Sequence, residues 1–383
     1  MKVVYVVVSN DADVYLEQAY VSMCSLKYHM PHAQIVMLTD DLTDATFKGV
    51  RKEETKYADE IVVVELPKEL NAQRRSRILK TTARKHVKGD FLFVDCDTIV
   101  AKPLDEICAV QADIAIVSDL HAEDFKDNPY YLGNVSLCKR FTDFPIETEA
   151  HFYNTGVIFV KDTDKAHEFY EEWNRLLCAG WDNGIEMDQP SFAYTNYRMG
   201  YIAQTLDGVW NCQLCYGFRY LKDAKIVHYI CTNGNRSKNK EHSLYLMNEL
   251  SVFDRIKKYG EIPQEVESLM HDPFKGLSPV SLCIAGEDLL FFHTAVFANT
   301  RLLFGTKAFA VLDFFLRAAL FIPKRINRLT KKIQRTTITQ HTAHSTQHTA
   351  SLLFARKTPR WCKRFALWHK RALCARGGLG GVA

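Results

Sequence analysis

Short apolar runs alternate with segments of helical periodicity over most of the first 235 residues of the chain. The apolar runs are typical of buried strands, and they lie at residues 2–8, 34–39, 61–66, 91–94, 113–118 and 152–161. The helical segments lie at residues 14–29, 72–87 and 163–178. Strands that alternate with helices predict an α/β fold with a mostly parallel sheet flanked by helices.

Changes in composition divide the chain into three predicted parts. Residues 1–262 form the expected globular domain, and within it residues 119–150 predict a long irregular binding loop or lid, since they are rich in Asp, Asn, Pro and Tyr. Residues 263–335 are expected to form a helical, apolar and basic extension. Residues 336–383 predict a low-complexity linker and a basic tail.

Charge is distributed very unevenly along the chain. After Asp313 there are 15 Lys and Arg residues and no acidic residue, which leaves 34 basic and 45 acidic residues up to that position. An acidic body with a basic tail indicates two separate electrostatic roles. The tail has no recognisable nucleic-acid-binding fold, so nucleic acid is not an expected partner.

The C-terminal extension predicts contact with a membrane surface. Residues 281–322 are apolar and aromatic, but charged residues interrupt them before the ~18 uncharged residues needed to cross a bilayer. Basic residues follow at once, which favours a helix pair lying on an anionic membrane surface. An ordinary helical subdomain with a solvated basic end is the alternative. The 11 scattered cysteines and the lack of a secretory signal predict a cytoplasmic location, at the inner face of the cell membrane.

Two aspartates one residue apart follow the apolar run at residues 91–94. Because strand side chains alternate between faces, Asp95 and Asp97 are expected to project together. Two neighbouring carboxylates repel each other unless a positive charge lies between them, and a divalent cation is the natural candidate. Asp-x-Asp also arises by chance in surface loops, but the carboxyl end of a strand is where open α/β sheets bind ligands. The motif therefore predicts a metal site that holds a diphosphate.

Further motifs accompany this pair in a distinctive order. They are Ser9-Asn10-Asp11 after the first strand, Asn154-Thr155-Gly156 at the start of another, Asp188-Gln189 before Pro190, and His228 at the end of a short strand. In this order the chain resembles the nucleotide-diphospho-sugar transferases of the GT-A (Rossmann-like) fold. The resemblance covers residues 1–235 and is greatest to glycosyltransferase family 8, which includes galactosyl- and glucosyltransferases.

The resemblance implies that His228 joins Asp95 and Asp97 as a metal ligand. Mn²⁺ is the expected ion, with Mg²⁺ as the alternative, because Mn²⁺ accepts mixed oxygen and imidazole ligands more readily. The alternative is that His228 has only a structural role, as a hydrogen-bonded histidine at the end of a strand. Another alternative is a structural zinc site, since Cys212-x-x-Cys215 precedes His228 and Cys231.

The resemblance also implies a set of donor-binding residues. The nucleotide base and ribose would contact the turn formed by Val8, Ser9, Asn10 and Asp11, and Asp95 would also contact the ribose. In the family this turn meets uracil, which makes uridine diphosphate the expected nucleotide, but the sequence alone leaves the base open. Arg77 matches the family's donor-binding arginine, and Lys80 is a competing candidate for that role. The alternative is that both residues only form part of a solvated basic helix face. Arg236 or Lys238 would grip the phosphate, although the chain lacks the family's Gly-x-x-Lys-Pro-Trp segment. Asn154, Thr155 and Gly156 would line the donor sugar.

Asp188 and Gln189 are the candidate catalytic residues. Asp188 is expected to bind sugar hydroxyls, and Gln189 to lie beneath the anomeric carbon as a weak nucleophile or a stabilising dipole, with retention of configuration. The sequence therefore predicts a hexosyltransferase that moves sugar from a nucleotide-diphosphate donor to a glycan or glycolipid acceptor of the cell surface, such as lipopolysaccharide. The alternative is a membrane-associated scaffold that binds nucleotide sugars without catalysis.

Overall fold

Ten strands organise the part of the chain that the computed structural model describes, which is residues 1–128, 130–214, 219–230, 247 and 250–276. These residues all belong to one unit that lies within Met1–Leu312. In chain order the strands are β1 (Lys2–Val7), β2 (Gln34–Asp40), β3 (Glu60–Val64), β4 (Phe91–Val94), β5 (Thr98–Val100), β6 (Ile114–Ser118), β7 (Tyr153–Val160), β8 (Ala203–Leu206), β9 (Cys212–Gln213) and β10 (Ile226–His228).

Seven of these strands form one sheet in the order β3-β2-β1-β4-β7-β6-β8. Strands β1 to β4 run parallel, and β6 runs parallel to β8. Strand β7 is antiparallel to both its neighbours, with Val94 opposite Val157. Because of this reversal, the beginning of β7 meets the carboxyl end of β4, where the two aspartates follow.

The remaining three strands form a small sheet in the order β5-β10-β9. Strand β10 pairs antiparallel with β5, so that His228 lies opposite Thr98. It pairs parallel with β9, so that His228 also lies beside Gln213. The small sheet thus brings a residue from far along the chain next to Asp97.

Ten α-helices flank the sheets among the described residues. They are α1 (Tyr15–His29), α2 (Asp41–Asp44), α3 (Val50–Glu53), α4 (Ala72–Thr81), α5 (Ala83–His86), α6 (Tyr131–Cys138), α7 (Asp164–Asp182), α8 (Asp188–Arg198), α9 (Leu250–Tyr259) and α10 (Gln264–His271).

The large sheet buries both of its faces against helices. On β1, Val3, Tyr5 and Val7 pack in one cluster with the apolar side of α1. The alternate residues Val4 and Val6 pack in a second cluster, which contains the aromatic side chains of α7 and α8. The α/β architecture that the sequence predicted, a mostly parallel sheet flanked by helices, is therefore confirmed.

The expectation of an irregular stretch at residues 119–150 is wrong in part, because the stretch contains α6 and short 3₁₀ turns. Helix α6 turns Tyr131, Val135 and Cys138 into an aromatic cluster with Phe125 and Phe152. The helix has only eight residues, too short for its periodicity to be recognised amid the surrounding polar residues.

The packed body continues beyond residue 262, where the sequence analysis placed its end. On α10, Val266, Leu269 and Met270 are buried in the cluster that also holds Phe253 and Ile256 of α9. Residues 277–383, with the predicted membrane-contacting extension and the tail, lie outside the described residues. In the described part of the chain, no helix has the length and apolar character required for a membrane span.

The carboxyl groups of Glu17, on α1, and Glu54, just after α3, are fully buried away from the sheet edge. Among the described residues, neither oxygen of Glu54 has a hydrogen-bond partner. Burial raises the pKa of Glu54 from its usual 4.5 to about 8, and the nearby Glu17 adds to the effect, while Arg51 and Lys257 oppose it. The folded protein is therefore penalised when Glu54 ionises.

We predict that Glu54→Gln stabilises the protein increasingly as pH rises. A raised pKa in the folded state means that the ionisation penalty is absent below about pH 4.5 and grows until about pH 8. The measurement is the thermal midpoint of the wild type and the variant from pH 4 to pH 9. Glu53→Gln, at the exposed neighbouring position, should show no such trend. A difference in midpoint between Glu54→Gln and the wild type that is the same at every pH would contradict the prediction.

Candidate active site

The two aspartates after β4 are fixed by backbone hydrogen bonds from both sides. The N–H of Asp95 donates to the carbonyl oxygen of Gly156 at 2.7 Å, which continues the β4–β7 pairing. The N–H of Tyr229 donates to the carbonyl oxygen of Asp97 at 3.0 Å, which continues the β5–β10 pairing. The junction of the two sheets therefore determines where both carboxylates lie.

Asp95, Asp97 and His228 converge at this junction. One potential ligand atom from each lies within 4.8 Å of the other two, and His228 Nε2 is 3.1 Å from Asp97 Oδ1. His228 Nδ1 lies 3.0 Å from Asn211 Oδ1. An amide oxygen can only accept, so Nδ1 carries the hydrogen and Nε2 is left to face the aspartates. Two carboxylates and one imidazole fit a divalent cation such as Mn²⁺.

The electrostatic environment of Asp95, Asp97 and His228 favours a positive charge between the two carboxylates. Burial raises the pKa of Asp95, Asp97 adds to that effect, and Lys80 opposes it. Burial alone would lower the pKa of His228, but Asp97 and Asp95 outweigh it and raise that pKa. A proton on His228 and a divalent cation are therefore alternative ways to compensate the same carboxylates, so cation binding should release a proton.

Lys80 and Asp188 form a second charged group beside the first. Lys80 Nζ is 3.1 Å from Asp188 Oδ2 and 3.3 Å from Asp95 Oδ1, and the hydroxyl of Thr155 donates to Asp188 Oδ2 at 2.9 Å. Burial alone would raise the pKa of Asp188, but Lys80 and Arg77 lower it to about 2. Asp188 is thus an ionised hydrogen-bond acceptor near neutral pH.

Predicted residues from distant parts of the sequence line one cleft. Its lining residues are Lys80, Asp95, Asp97, Asn154, Thr155, Gly156, Asp188, Gln189, His228 and Ile230. Asp188 is the first residue of α8. Of the two competing basic residues, Lys80 lines the cleft, whereas Arg77 reaches Asp188 with its Nε at 3.8 Å.

The turn at Val8, Ser9, Asn10 and Asp11 follows β1 at the same edge of the sheet but is not among the lining residues. Its conformation is held by Asp13, whose carboxylate accepts from the Ser9 hydroxyl at 2.6 Å and from the Asn10 N–H at 2.9 Å. The amino group of Lys257, on α9, donates to the carbonyl oxygens of Asp11 and Asp13. The turn is thus held by Asp13, close to it in sequence, and by Lys257, near the end of the described chain.

Some predicted residues lie outside the described part of the chain. Arg236 and Lys238, the candidates for the phosphate grip, are among them, as are Cys215 and Cys231 of the alternative zinc site. Cys212 is described and buried. His228, the remaining member of that zinc motif, is engaged with Asp97 and Asn211.

Gly156 has a closer neighbour than the donor sugar that the sequence analysis assigned to it. A Cβ atom at this position would lie 2.3 Å from Cε1 and 2.8 Å from Nδ1 of His228. Only a residue without a side chain leaves room for the imidazole in its observed place. The glycine therefore determines the position of the candidate metal ligand.

Two polar residues of the site were missed by sequence reasoning. Asn211 lies just before β9 and accepts from His228, and Asp119 follows β6 and accepts from Asn154 and Gln189. Asp119 does carry a recognisable signal, because it follows a buried strand directly, as Asp95 does. Asn211 lies in a short 3₁₀ turn and has no comparable signal in the sequence.

Comparison with known protein families identifies the class of enzyme. Residues 71–248 match the model of the nucleotide-diphospho-sugar transferases, and this segment contains Asp95, Asp97, Asp188, Gln189 and His228. The predicted resemblance to the nucleotide-diphospho-sugar transferases is therefore confirmed over this segment. The chain carries a nucleotide-diphospho-sugar transferase domain, and it is an enzyme of the glycosyltransferase class.

Several solved structures are similar to the chain at low sequence identity. Mouse xyloside xylosyltransferase 1 in its apo form is 13% identical with a TM-score of 0.42, over 61% of this chain and 99% of that one. The glycosyltransferase GlyE of Streptococcus pneumoniae is 17% identical with a TM-score of 0.43, over 71% and 63% of the two chains. The galactosyltransferase LgtC, in complex with donor and acceptor sugar analogues, is 12% identical with a TM-score of 0.44, over 70% and 99%. At such TM-scores these likenesses carry no argument about function. No curated protein matches the chain.

We predict that Gly156→Ala weakens Mn²⁺ binding by about 10–100-fold, the usual effect of disturbing the support of a metal ligand. The added methyl group must displace His228, because no imidazole can remain 2.3 Å from it. Isothermal titration of the protein with Mn²⁺, without any nucleotide, measures the effect. Gly133→Ala, where a Cβ would meet nothing within 4 Å, is the matched control. Wild-type Mn²⁺ affinity in a folded Gly156→Ala protein would contradict the assignment of His228.

Proposed function

We propose that the protein is a divalent-metal-dependent hexosyltransferase that uses a UDP-sugar and transfers the sugar to a glycan or glycolipid acceptor of the cell surface. The observation that carries the proposal is the convergence of Asp95, Asp97 and His228 beside the Lys80–Asp188 pair in one cleft. A metal-ligand set next to a separate cation suits a diphosphate, which gains negative charge as it departs.

Asp95, Asp97 and His228 would hold Mn²⁺ or Mg²⁺, which supplies Lewis-acid stabilisation of the leaving diphosphate when bound. Lys80 lies at the edge of this group with its Nζ 3.3 Å from Asp95 Oδ1. Its ammonium group is suited to an additional contact with a phosphate oxygen. Lys80 thus takes the donor-binding role for which Arg77 was the other candidate.

Asp188 is suited to orient the donor sugar. The low pKa that Lys80 and Arg77 impose keeps it ionised, so it presents only acceptors, and sugar hydroxyls are the matching donors. The next residue, Gln189, also lines the cleft. In the proposed reaction its side chain stabilises positive charge on the anomeric carbon, and transfer proceeds with retention. The acceptor hydroxyl passes its proton to the departing phosphate.

The nucleotide is assigned to the turn of Val8, Ser9, Asn10 and Asp11, which follows the strand next to β4. Asp13 and Lys257 hold this turn in one conformation. A prearranged turn lowers the ordering cost of binding a base and ribose. Uridine is proposed from the family resemblance, and Asp95 is proposed to contact the ribose as well as the metal.

The proposed location is the cytoplasmic face of the cell membrane. The support comes from the sequence after residue 276, where apolar segments precede a run of basic residues without any acidic residue after Asp313. A lipid-linked or lipopolysaccharide-type acceptor would lie at the same surface.

We predict that Asp97→Asn lowers sugar transfer or donor hydrolysis by a factor on the order of a hundred or more, the size expected when a group that stabilises developing charge is lost. The measurement is release of nucleoside diphosphate from a panel of nucleotide sugars, with Mn²⁺ or with EDTA. Asp143→Asn, at an exposed position, is the matched control and should keep wild-type activity.

Mn²⁺-dependent release from one UDP-sugar, lost in Asp97→Asn, would support the proposal and identify the donor. Metal-independent activity in the wild type would contradict the role of the cluster. If the folded protein binds a nucleotide sugar but transfers nothing to water or to any acceptor, the non-catalytic scaffold becomes the better reading.

We predict that the full-length chain sediments with vesicles that contain phosphatidylglycerol and not with pure phosphatidylcholine. Each basic residue near an anionic surface contributes about 1 kcal/mol. A variant with glutamine at six basic positions should remain in the supernatant, and the positions are Lys324, Arg325, Arg328, Lys331, Lys332 and Arg335. Equal sedimentation of both proteins would contradict the electrostatic anchor.

A further inference from the structure

Asp119 is a buried carboxylate that no part of the proposed mechanism has used. Asp119 is only 5% exposed, and no lysine or arginine of the described residues forms an ion pair with its carboxylate. Three side-chain amides donate to it instead, from Asn128 at 3.0 Å, Asn154 at 3.1 Å and Gln189 at 3.0 Å. Burial raises its pKa, and these three hydrogen bonds oppose the rise. A buried carboxylate without a cation costs stability, and this one lies beside the cleft.

The hydrogen bonds that lead from Asp119 to His228 have a fixed donor-to-acceptor direction. A carboxylate only accepts, so Asn154 must turn its NH₂ group toward Asp119 and its Oδ1 away. That oxygen accepts from Asn211 Nδ2 at 2.9 Å. Asn211 then has its own oxygen free to accept from His228 Nδ1 at 3.0 Å. Through these two amides, Asp119 determines that Nδ1 of the imidazole is a hydrogen-bond donor. Nε2 is therefore left to face Asp95 and Asp97.

The second branch from Asp119 fixes Gln189. One hydrogen of its amide group goes to Asp119 Oδ1 at 3.0 Å and the other to the carbonyl oxygen of Tyr153 at 3.1 Å. Both N–H groups are therefore used within the protein. The part of the side chain that remains for a ligand in the cleft is the carbonyl oxygen, which is the electron-rich end.

The backbone after Asp119 is strained and held in place. Leu120 and His121 have φ angles of 56° and 55°, a region that non-glycine residues seldom adopt. Gln213 bridges the strained turn, since its Oε1 accepts from the Leu120 N–H at 2.7 Å and its Nε2 donates to the Ser118 carbonyl oxygen at 2.9 Å. Such strain persists only where the surroundings fix the conformation, which fits a carboxylate that must stay in one place.

We propose that Asp119 is a positioning residue that sets the polarity of the whole site: through Asn154 and Asn211 it commits His228 Nε2 to the metal, and through Gln189 it presents a carbonyl oxygen to the sugar. This inference rests on the proposed function. Asp119 is not assigned any contact with the metal or the substrate. A single buried charge thereby couples the metal centre to the group beneath the reacting carbon.

The experiment is Asp119→Asn, which keeps the shape of the side chain but replaces an acceptor oxygen by an NH₂ group. Asn154 and Gln189 donate to one oxygen of Asp119 and Asn128 donates to the other, so the new NH₂ group must face at least one amide NH₂ group. The amides can then reverse, and the hydrogen bonds that remain lose the negative charge that strengthens them. We expect Mn²⁺ affinity without nucleotide to fall about 10–100-fold, measured by isothermal titration. We also expect kcat for donor hydrolysis at saturating Mn²⁺ to fall about a hundredfold, while KM for the donor changes less than about twofold.

A double-mutant cycle separates positioning from a general loss of packing. Asn211→Ala interrupts the same branch, so it should weaken Mn²⁺ binding alone and add little to Asp119→Asn, while leaving the Gln189 branch intact. Full additivity of the two losses in Mn²⁺ affinity would overturn the proposed chain. Asp143→Asn is again the matched control, with wild-type values expected. If Asp119→Asn does not fold, Asn211→Ala decides the metal branch, and unchanged Mn²⁺ affinity in that variant overturns it.

Failure of this inference is distinguishable from failure of the proposed function. If the wild type neither binds Mn²⁺ nor hydrolyses any nucleotide sugar, the proposed function itself is wrong. If the wild type does both and folded Asp119→Asn matches it in Mn²⁺ affinity and in kcat, only the positioning role of Asp119 is overturned.

Discussion

Two carboxylates held side by side at the end of a buried strand impose the main constraint on this molecule. Asp95 and Asp97 cannot separate, because backbone pairing to β7 on one side and to β10 on the other fixes both of them. Their mutual repulsion has to be compensated by whatever lies around them. In the described structure the compensation comes from Lys80 on one side and His228 on the other. A divalent cation would replace part of it.

The same constraint explains how the fold and the site depend on each other. The antiparallel strand β7 brings Thr155 to Asp188 and Gly156 to His228. The small second sheet delivers His228, and the start of α8 delivers Asp188 and Gln189. Each element contributes one or two polar groups at its end, where backbone hydrogen bonding has ceased. The rest of each element is buried in the apolar clusters that hold these ends in register.

The sequence was sufficient to predict those features of the fold and site that produce a local pattern of residues. Alternation along a strand was sufficient to predict that Asp95 and Asp97 project together, and alternating strands and helices predicted the α/β fold. His228 needed the family resemblance, because its partner strand is more than 100 residues earlier in the chain. Asn211 and the reversal of β7 left no local signal, since both depend on which strands become neighbours. The extension of the body past residue 262 was missed because α10 is short and its apolar stripe has meaning only against α9 and α1.

The central claim is that Asp95, Asp97 and His228 hold one divalent cation at the junction of the two sheets. Diffraction from crystals soaked in Mn²⁺ and UDP, recorded at the manganese absorption edge, tests it most directly. The account predicts one strong anomalous peak within bonding distance of both carboxylates and of His228 Nε2, with Asn211 still bound to Nδ1. A folded, UDP-bound protein with no peak there, or with the peak at other residues, would contradict it.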